Sequence, residues 1–114
     1  MLNQIIMVGR LTSDIEIEDT ETGGKRANIT LAIPRSFKNK DGAYDTDFIT
    51  CTLWDSIAEN TKEYCRKGDI IGVKGRLSSN VDEKGGKYYI NPIAEKVTFL
   101  SSKEQNRSNQ EQER

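Results

Sequence analysis

Residues 48–59 read Phe48-Ile49-Thr50-Cys51-Thr52-Leu53-Trp54-Asp55-Ser56-Ile57-Ala58-Glu59, and two periods meet there. Over 48–54 the side chains alternate, with Ile49, Cys51 and Leu53 on one side and Phe48, Thr50, Thr52 and Trp54 on the other, the period of a β-strand. The first side is a plain aliphatic core face. The second spaces two large aromatics with hydroxyls, which suits a surface wetted by solvent or covered by a ligand. Beyond Trp54 the period lengthens. Ser56-Ile57-Ala58-Glu59 fits a capping box, and Ile57, Ala58, Thr61, Tyr64 and Cys65 recur at helical spacing until Gly68 offers a stop. A strand running into one short helix is the pivot of the chain.

Upstream, residues 4–8 are apolar and β-rich up to Gly9, and Ile15 and Ile17 alternate with Asp14, Glu16 and Glu18 in the manner of a half-exposed strand. Gly23-Gly24 supplies a turn. Residues 27–33 then place Ala27, Ile29, Leu31 and Ile33 on one face, and Pro34, which has no ladder donor, is predicted to end that strand. The polar segment 38–45, carrying Asn39-Lys40-Asp41-Gly42, reads as a loop or hairpin tip. Downstream, residues 69–81 and 87–100 give two further strands joined at Glu83-Lys84-Gly85-Gly86, with Gly72 and Gly75 allowing the first to coil sharply. The expected order is three strands, one helix, two strands. An all-β chain of five strands with one short helix between the third and fourth matches the OB-fold, a partly open Greek-key barrel, here with its helix plugging one end. The second and third strands of that fold carry its oligonucleotide- or oligosaccharide-binding face, where Phe48 and Trp54 project.

Composition bounds the chemistry. At 114 residues the chain has room for one domain, placed at 1–100. Residues 103–114 contain no aliphatic or aromatic side chain, so 101–114 is expected to be a disordered tail. The absence of His excludes Ser-His-Asp and Cys-His nucleophiles and His-ligated metal sites within one chain. Cys51 and Cys65 are too few for a four-cysteine zinc site and read as small buried apolar residues. No signal peptide or membrane span is legible, so a cytosolic protein with reduced thiols is expected. Net charge is −1, which does not announce a nucleic-acid binder. Five acids (Asp14, Glu16, Glu18, Asp19, Glu21) crowd into eight residues without a base, however, and in the rest of 1–100 bases exceed acids by four. A positive and a negative face can coexist on one small body.

Several segments, in order and over nearly all of 1–100, resemble bacterial single-stranded DNA-binding proteins. They are the opening Met1-Leu2-Asn3-Gln4-Ile5-Ile6-Met7-Val8-Gly9-Arg10-Leu11, the segment Ala27-Asn28-Ile29-Thr30-Leu31-Ala32, the run from Asp47-Phe48 through Trp54 to Ala58-Glu59, and Tyr64-Cys65-Arg66-Lys67-Gly68. The resemblance implies an OB-fold homotetramer, cytoplasmic and nucleoid-associated, that wraps and protects single-stranded DNA in replication, recombination and repair. It places the family's stacking positions on Phe37, Phe48 and Trp54, and its phosphate-meeting bases on Lys38, Lys40 and Lys67, with Arg35 beside the loop aromatic able to join them. Aromatic platforms bind any sequence, because every base has a π-face.

The chain also departs from the family. Where the long terminal hairpin often carries an aromatic and several arginines, this sequence has Leu77-Ser78-Ser79-Asn80-Val81-Asp82. Arg76, Lys84, Lys87 and one of the adjacent Tyr88 and Tyr89 are left to compensate, the other tyrosine being expected by alternation to face the barrel interior. Glu16 and Glu18 add negative charge where many members are neutral or basic, so a lower affinity or smaller occluded site is expected. The ending Glu111-Gln112-Glu113-Arg114 lacks the acidic, Phe-terminated tip by which typical members recruit replication and repair enzymes, so the expectation is either a short paralogue like those of natural competence or mobile elements, or a member that lost that function.

Three other readings stand beside this one. The aromatics could be core or subunit contacts, but Phe48 and Trp54 oppose the aliphatic row and Phe37 sits beside Lys38 and Lys40 in a polar segment, which favours stacking. The same fold could serve RNA or act as a protein-interaction adaptor in replication restart. A nuclease using Asp45 and Asp47 as metal ligands would lack a constellation to activate water. No cofactor is expected, since Gly23-Gly24-Lys25 and Gly85-Gly86-Lys87 read as hairpin tips rather than a phosphate-cradling loop.

Overall fold

The computed structural model describes residues 1–102; of the tail expected at 101–114, Ser101 belongs to the last strand, and 103–114 lie outside the described residues. The elements run β1 (Ile5–Leu11), β2 (Glu18–Asp19), β3 (Lys25–Lys38), β4 (Tyr44–Trp54), α1 (Asp55–Tyr64), β5 (Ile70–Val81) and β6 (Tyr88–Ser101). The sheet order is β1-β5-β6-β4-β3-β2, and a further pairing of β1 with β3 closes the ring. Setting aside the two-residue β2, this is the five-stranded barrel expected, with the helix between the third and fourth long strands.

Closure depends on local chemistry at a few positions. β1 pairs with β5 along Ile5–Arg10 and joins the β3 ladder at Arg10↔Ala32 and Leu11↔Leu31. At the opposite seam β4 and β6 run parallel and meet at Thr52↔Ile93. Gly75 lets β5 bend into that seam: a Cβ there would stand 1.9 Å from the Ile93 carbonyl oxygen. The core holds Leu11, Ile29, Leu31, Cys51, Leu53, Ile71 and Val73, each 2% exposed or less. The aliphatic row read from residues 48–54 is thus the inner wall. The helix seals one end with Ala58 and Thr61 buried, next to the buried Cys65.

Four local expectations need correction. Pro34 does not end its strand, which continues to Lys38 with Pro34 paired to Thr46. The Thr30 carbonyl accepts the Thr12 N–H on the β1 side, so by alternation the position of Pro34's missing N–H also faces that side. β1 pairing has ended at Ala32 by then, and no ladder bond with β4 is lost. Ile15 and Ile17 form no strand; Ile15 is buried on irregular backbone, and only Glu18–Asp19 pair, with Lys25 and Arg26. Ser56 does not cap the helix. The N-cap is Trp54 in extended conformation with no side-chain cap bond, and Asp55, at φ +50°, turns its carboxylate to accept the Lys25 N–H at 2.9 Å. Nor does Gly68 stop the helix, which ends at Tyr64; Gly68 instead makes the following turn at φ +93° and donates its N–H to Leu11.

Candidate nucleic-acid interface

Alternation along β4 puts Phe48, Thr50, Thr52 and Trp54 on the outer wall, and the register sets Ala32, Thr30, Asn28 and Arg26 of β3 beside them in turn. Phe48 is 66% exposed and Trp54 39%, opposite a core row at 0% for Cys51 and Leu53. At about 3.4 Å per residue the two rings stand roughly 20 Å apart along the strand. Between them lies a polar strip. Thr30 and Thr50 hydroxyls hydrogen-bond at 2.7 Å, Thr52 donates to Asn28 Oδ1 at 2.9 Å, and Asn91 Nδ2 of β6 donates to Thr52 Oγ1 at 2.9 Å. Thr52 was expected on an open surface, but it is 4% exposed because Asn91 lies against it where β6 crosses β4.

The β3–β4 hairpin extends this face past the barrel. Between Pro34↔Thr46 and Lys38↔Tyr44, the three residues 35–37 oppose the single Asp45, and Phe37 projects from that bulge at 63% exposure. Tyr44, which sequence reading passed over, shares alternation with Phe48 and is 57% exposed, with Lys38 Nζ 5.9 Å from its ring centroid. Its signal lies in the sequence, since Tyr44, Thr46 and Phe48 continue the same period, but the turn-rich composition of 38–45 masks it. Lys40 stands exposed in the hairpin turn. The turn is built on Asn39, whose Oδ1 accepts the N–H groups of Asp41 and Ala43 and whose Nδ2 donates to Asp45.

Arg35 is already engaged. It donates to both oxygens of Asp47, the shortest bond being 2.9 Å, and lies 3.7 Å from Asp45. Hydrogen bonding by this guanidinium holds the Asp47 carboxyl below its usual range, and the same bond raises Arg35 further. Asp45 and Asp47, weighed earlier as metal ligands, are partners of Arg35 and Asn39. At the other end of the face Arg26 stacks over Trp54, Cζ to centroid 5.9 Å, and pairs with Glu18 at 3.0 Å.

The β5–β6 arm brings Arg76, opposite Ile93, and Lys87, near the tip, to exposed positions. Tyr88 and Tyr89 are 73% and 55% exposed, so neither fills the barrel. The arm has outrun the barrel there, and no interior remains for either ring. Tyr89, two residues before Asn91, shares the face that meets β4, while Tyr88 pairs with Val81 on the reverse face. Lys67 is exposed in the turn between α1 and β5, its N–H on Asp14 Oδ1. Burial pushes the Cys51 thiol up to about 11 and raises Cys65 too, so both free cysteines are structural rather than reactive.

The geometry is that of a barrel wall bearing spaced rings edged with bases, and the chain as a whole is similar to known proteins. Residues 2–100 match the model of the single-strand binding protein family. The chain is 43% identical over 106 residues to single-stranded DNA-binding protein B of Bacillus subtilis (strain 168), covering 90% of this chain and 94% of that protein. It is 42% identical over 107 residues to single-stranded DNA-binding protein 3 of Listeria innocua, covering 91% of this chain and 67% of that one. Among solved structures, a deletion mutant of the single-stranded DNA binding protein from Thermus aquaticus superposes with a TM-score of 0.74 at 27% identity, over 90% of this chain and 52% of that chain.

Proposed function

The chain belongs to the single-strand binding protein family, and from that premise we propose that it binds and protects single-stranded DNA, without regard to sequence, in replication, recombination and repair. The observation that carries the reading is the two-sided β4 strand: an inner row sealed in the core and an outer row holding Phe48 and Trp54 in the open. Phe37, with Tyr44 added, continues the row along the hairpin, and Lys38, Lys40, Lys67, Arg76 and Lys87 are the phosphate partners, with Tyr89 favoured over Tyr88 on the arm. Each stacked base contributes about 1–3 kcal/mol, whatever its identity. The protein acts as a binding partner and not as an enzyme; preferring the unpaired strand over duplex is enough to shift the population, and no cofactor enters.

Self-association into a homotetramer in the cytoplasm belongs to the same proposal. Its support is the edge of β1, where Ile6 and Val8 are 71% and 51% exposed, beside an open groove lined by Val8, Ala32, Pro34 and Ile70. An unpaired apolar edge gains from a second strand. Among the described residues no helix is long and apolar enough to cross a membrane.

The test is a titration of oligo-dT of increasing length against Trp54 fluorescence at two salt concentrations. Quenching is expected, with log affinity falling against log salt by about 0.7 per phosphate neutralised. No association at low salt, or a preference for structured RNA over dT, would overturn the reading.

A further inference from the structure

Arg26 and Trp54 face each other across the β3–β4 ladder, and the guanidinium lies over the indole with Cζ 5.9 Å from the ring centroid. A strand whose base stacks on Trp54 would carry a phosphate past this cation. The position is already taken by an anion: Glu18 Oε2 lies 3.0 Å from Arg26 NH2. That carboxylate is delivered by β2, a strand of two residues that pairs only with Lys25 and Arg26. The neighbouring base is engaged in the same way, Lys25 Nζ standing 3.6 Å from Asp19 and 3.8 Å from Glu59. Both bases at the start of β3, Lys25 and Arg26, therefore face carboxylates.

Two further features show that the arrangement can be exchanged. The pair is open to solvent, with Arg26 41% and Glu18 65% exposed, and exposed ion pairs hold weakly. The guanidinium is also not fully used, since Arg26 Nε is buried without a hydrogen-bond partner among the described residues. A guanidinium accepts carboxylate and phosphate oxygens with the same fork of donors, so one anion can replace the other.

We infer that Arg26 is a phosphate-binding residue and that Glu18 on β2 occupies it as a phosphate mimic, which the DNA strand must displace in order to seat fully on Trp54. The inference rests on the single-stranded DNA reading above and adds a competing anion built into the same site. It predicts a self-limited affinity: the displaced carboxylate gathers a cation of its own, which offsets part of the counterion release that phosphate neutralisation would otherwise yield.

The experiment is binding of dye-labelled oligo-dT, followed by anisotropy across a salt series, to the full chain and to Glu18→Gln, Glu16→Gln, Arg26→Gln and the Glu18→Gln/Arg26→Gln double variant. Anisotropy is used because Arg26 touches the intrinsic fluorophore. Glu18→Gln is expected to bind about three- to fivefold more tightly at low salt, to converge with the parent at high salt, and to steepen the log–log salt slope by up to about 0.7. Glu16→Gln changes net charge equally and should stay within about twofold of the parent. In the Arg26→Gln background the gain should vanish. A Glu18→Gln variant indistinguishable from a DNA-binding parent would overturn the inference alone. So would an equal gain in Glu16→Gln or in the Arg26→Gln background, since either would mean a general field effect. Failure of the parent itself to bind dT would instead remove the underlying reading.

Discussion

Phe48 and Trp54 stand outside the core, and Cys51 and Leu53 line it, because alternation along β4 turns the two sets to opposite sides. Replacing either ring by Ala should weaken oligo-dT binding by about 1–3 kcal/mol, measured by labelled-oligonucleotide titration; for the more exposed Phe48 melting temperature should change little, because the core row behind it is untouched. Leu53→Ala, one residue from Trp54 and fully buried, should do the reverse and cost about 2–5 kcal/mol in urea unfolding. This division was legible in the sequence because period-two alternation needs no tertiary knowledge. What failed at this scale depended on neighbours far along the chain. Thr52 reads as a surface residue until Asn91, 39 positions later, comes to rest on it. The pairing of Arg35 with Asp47 and Asp45 is likewise hidden until the hairpin folds them back against it. Tyr88 and Tyr89 were expected to divide between inside and outside, a rule that holds only where a barrel lies behind the strand.

The strands were found almost to the residue where a clear alternating run sits between glycine-rich turns, as in β5 and β6. Boundaries were lost where a residue's usual effect depends on which edge it occupies. Pro34 breaks a ladder when its missing N–H faces a partner, and here that position faces the side where β1 has diverged. The helix start was misplaced for a related reason: Ser56 has the side chain for a cap, but the chain turns one residue earlier at Asp55, in left-handed backbone that Asp tolerates better than most. Gly75 is the element-scale position with the sharpest consequence. Gly75→Ala would drive a methyl group into the Ile93 carbonyl and should destabilise the fold by about 3 kcal/mol or more, read as a lowered urea midpoint. Gly72→Ala on the same strand, where the nearest atom to an added Cβ is 3.8 Å away, should be far milder.

At the scale of the whole molecule, net charge concealed the organisation. Acids and bases nearly cancel in the sum, yet Arg26 and Arg35 at the two ends of the aromatic wall each bind carboxylates supplied by another part of the chain. Assembly is decided on a different surface. Ile6→Asp, on the exposed edge of β1, should convert the proposed homotetramer to smaller species in sedimentation velocity while each barrel remains folded, since Ile6 lies outside the core. Trp54 has a second position in the molecule, as the last residue of β4 and the residue from which α1 departs. Wall and lid share that hinge. A load placed on the indole is therefore felt by the plug that shuts the barrel, and occupancy outside should register as slower amide exchange in a helix the ligand never touches.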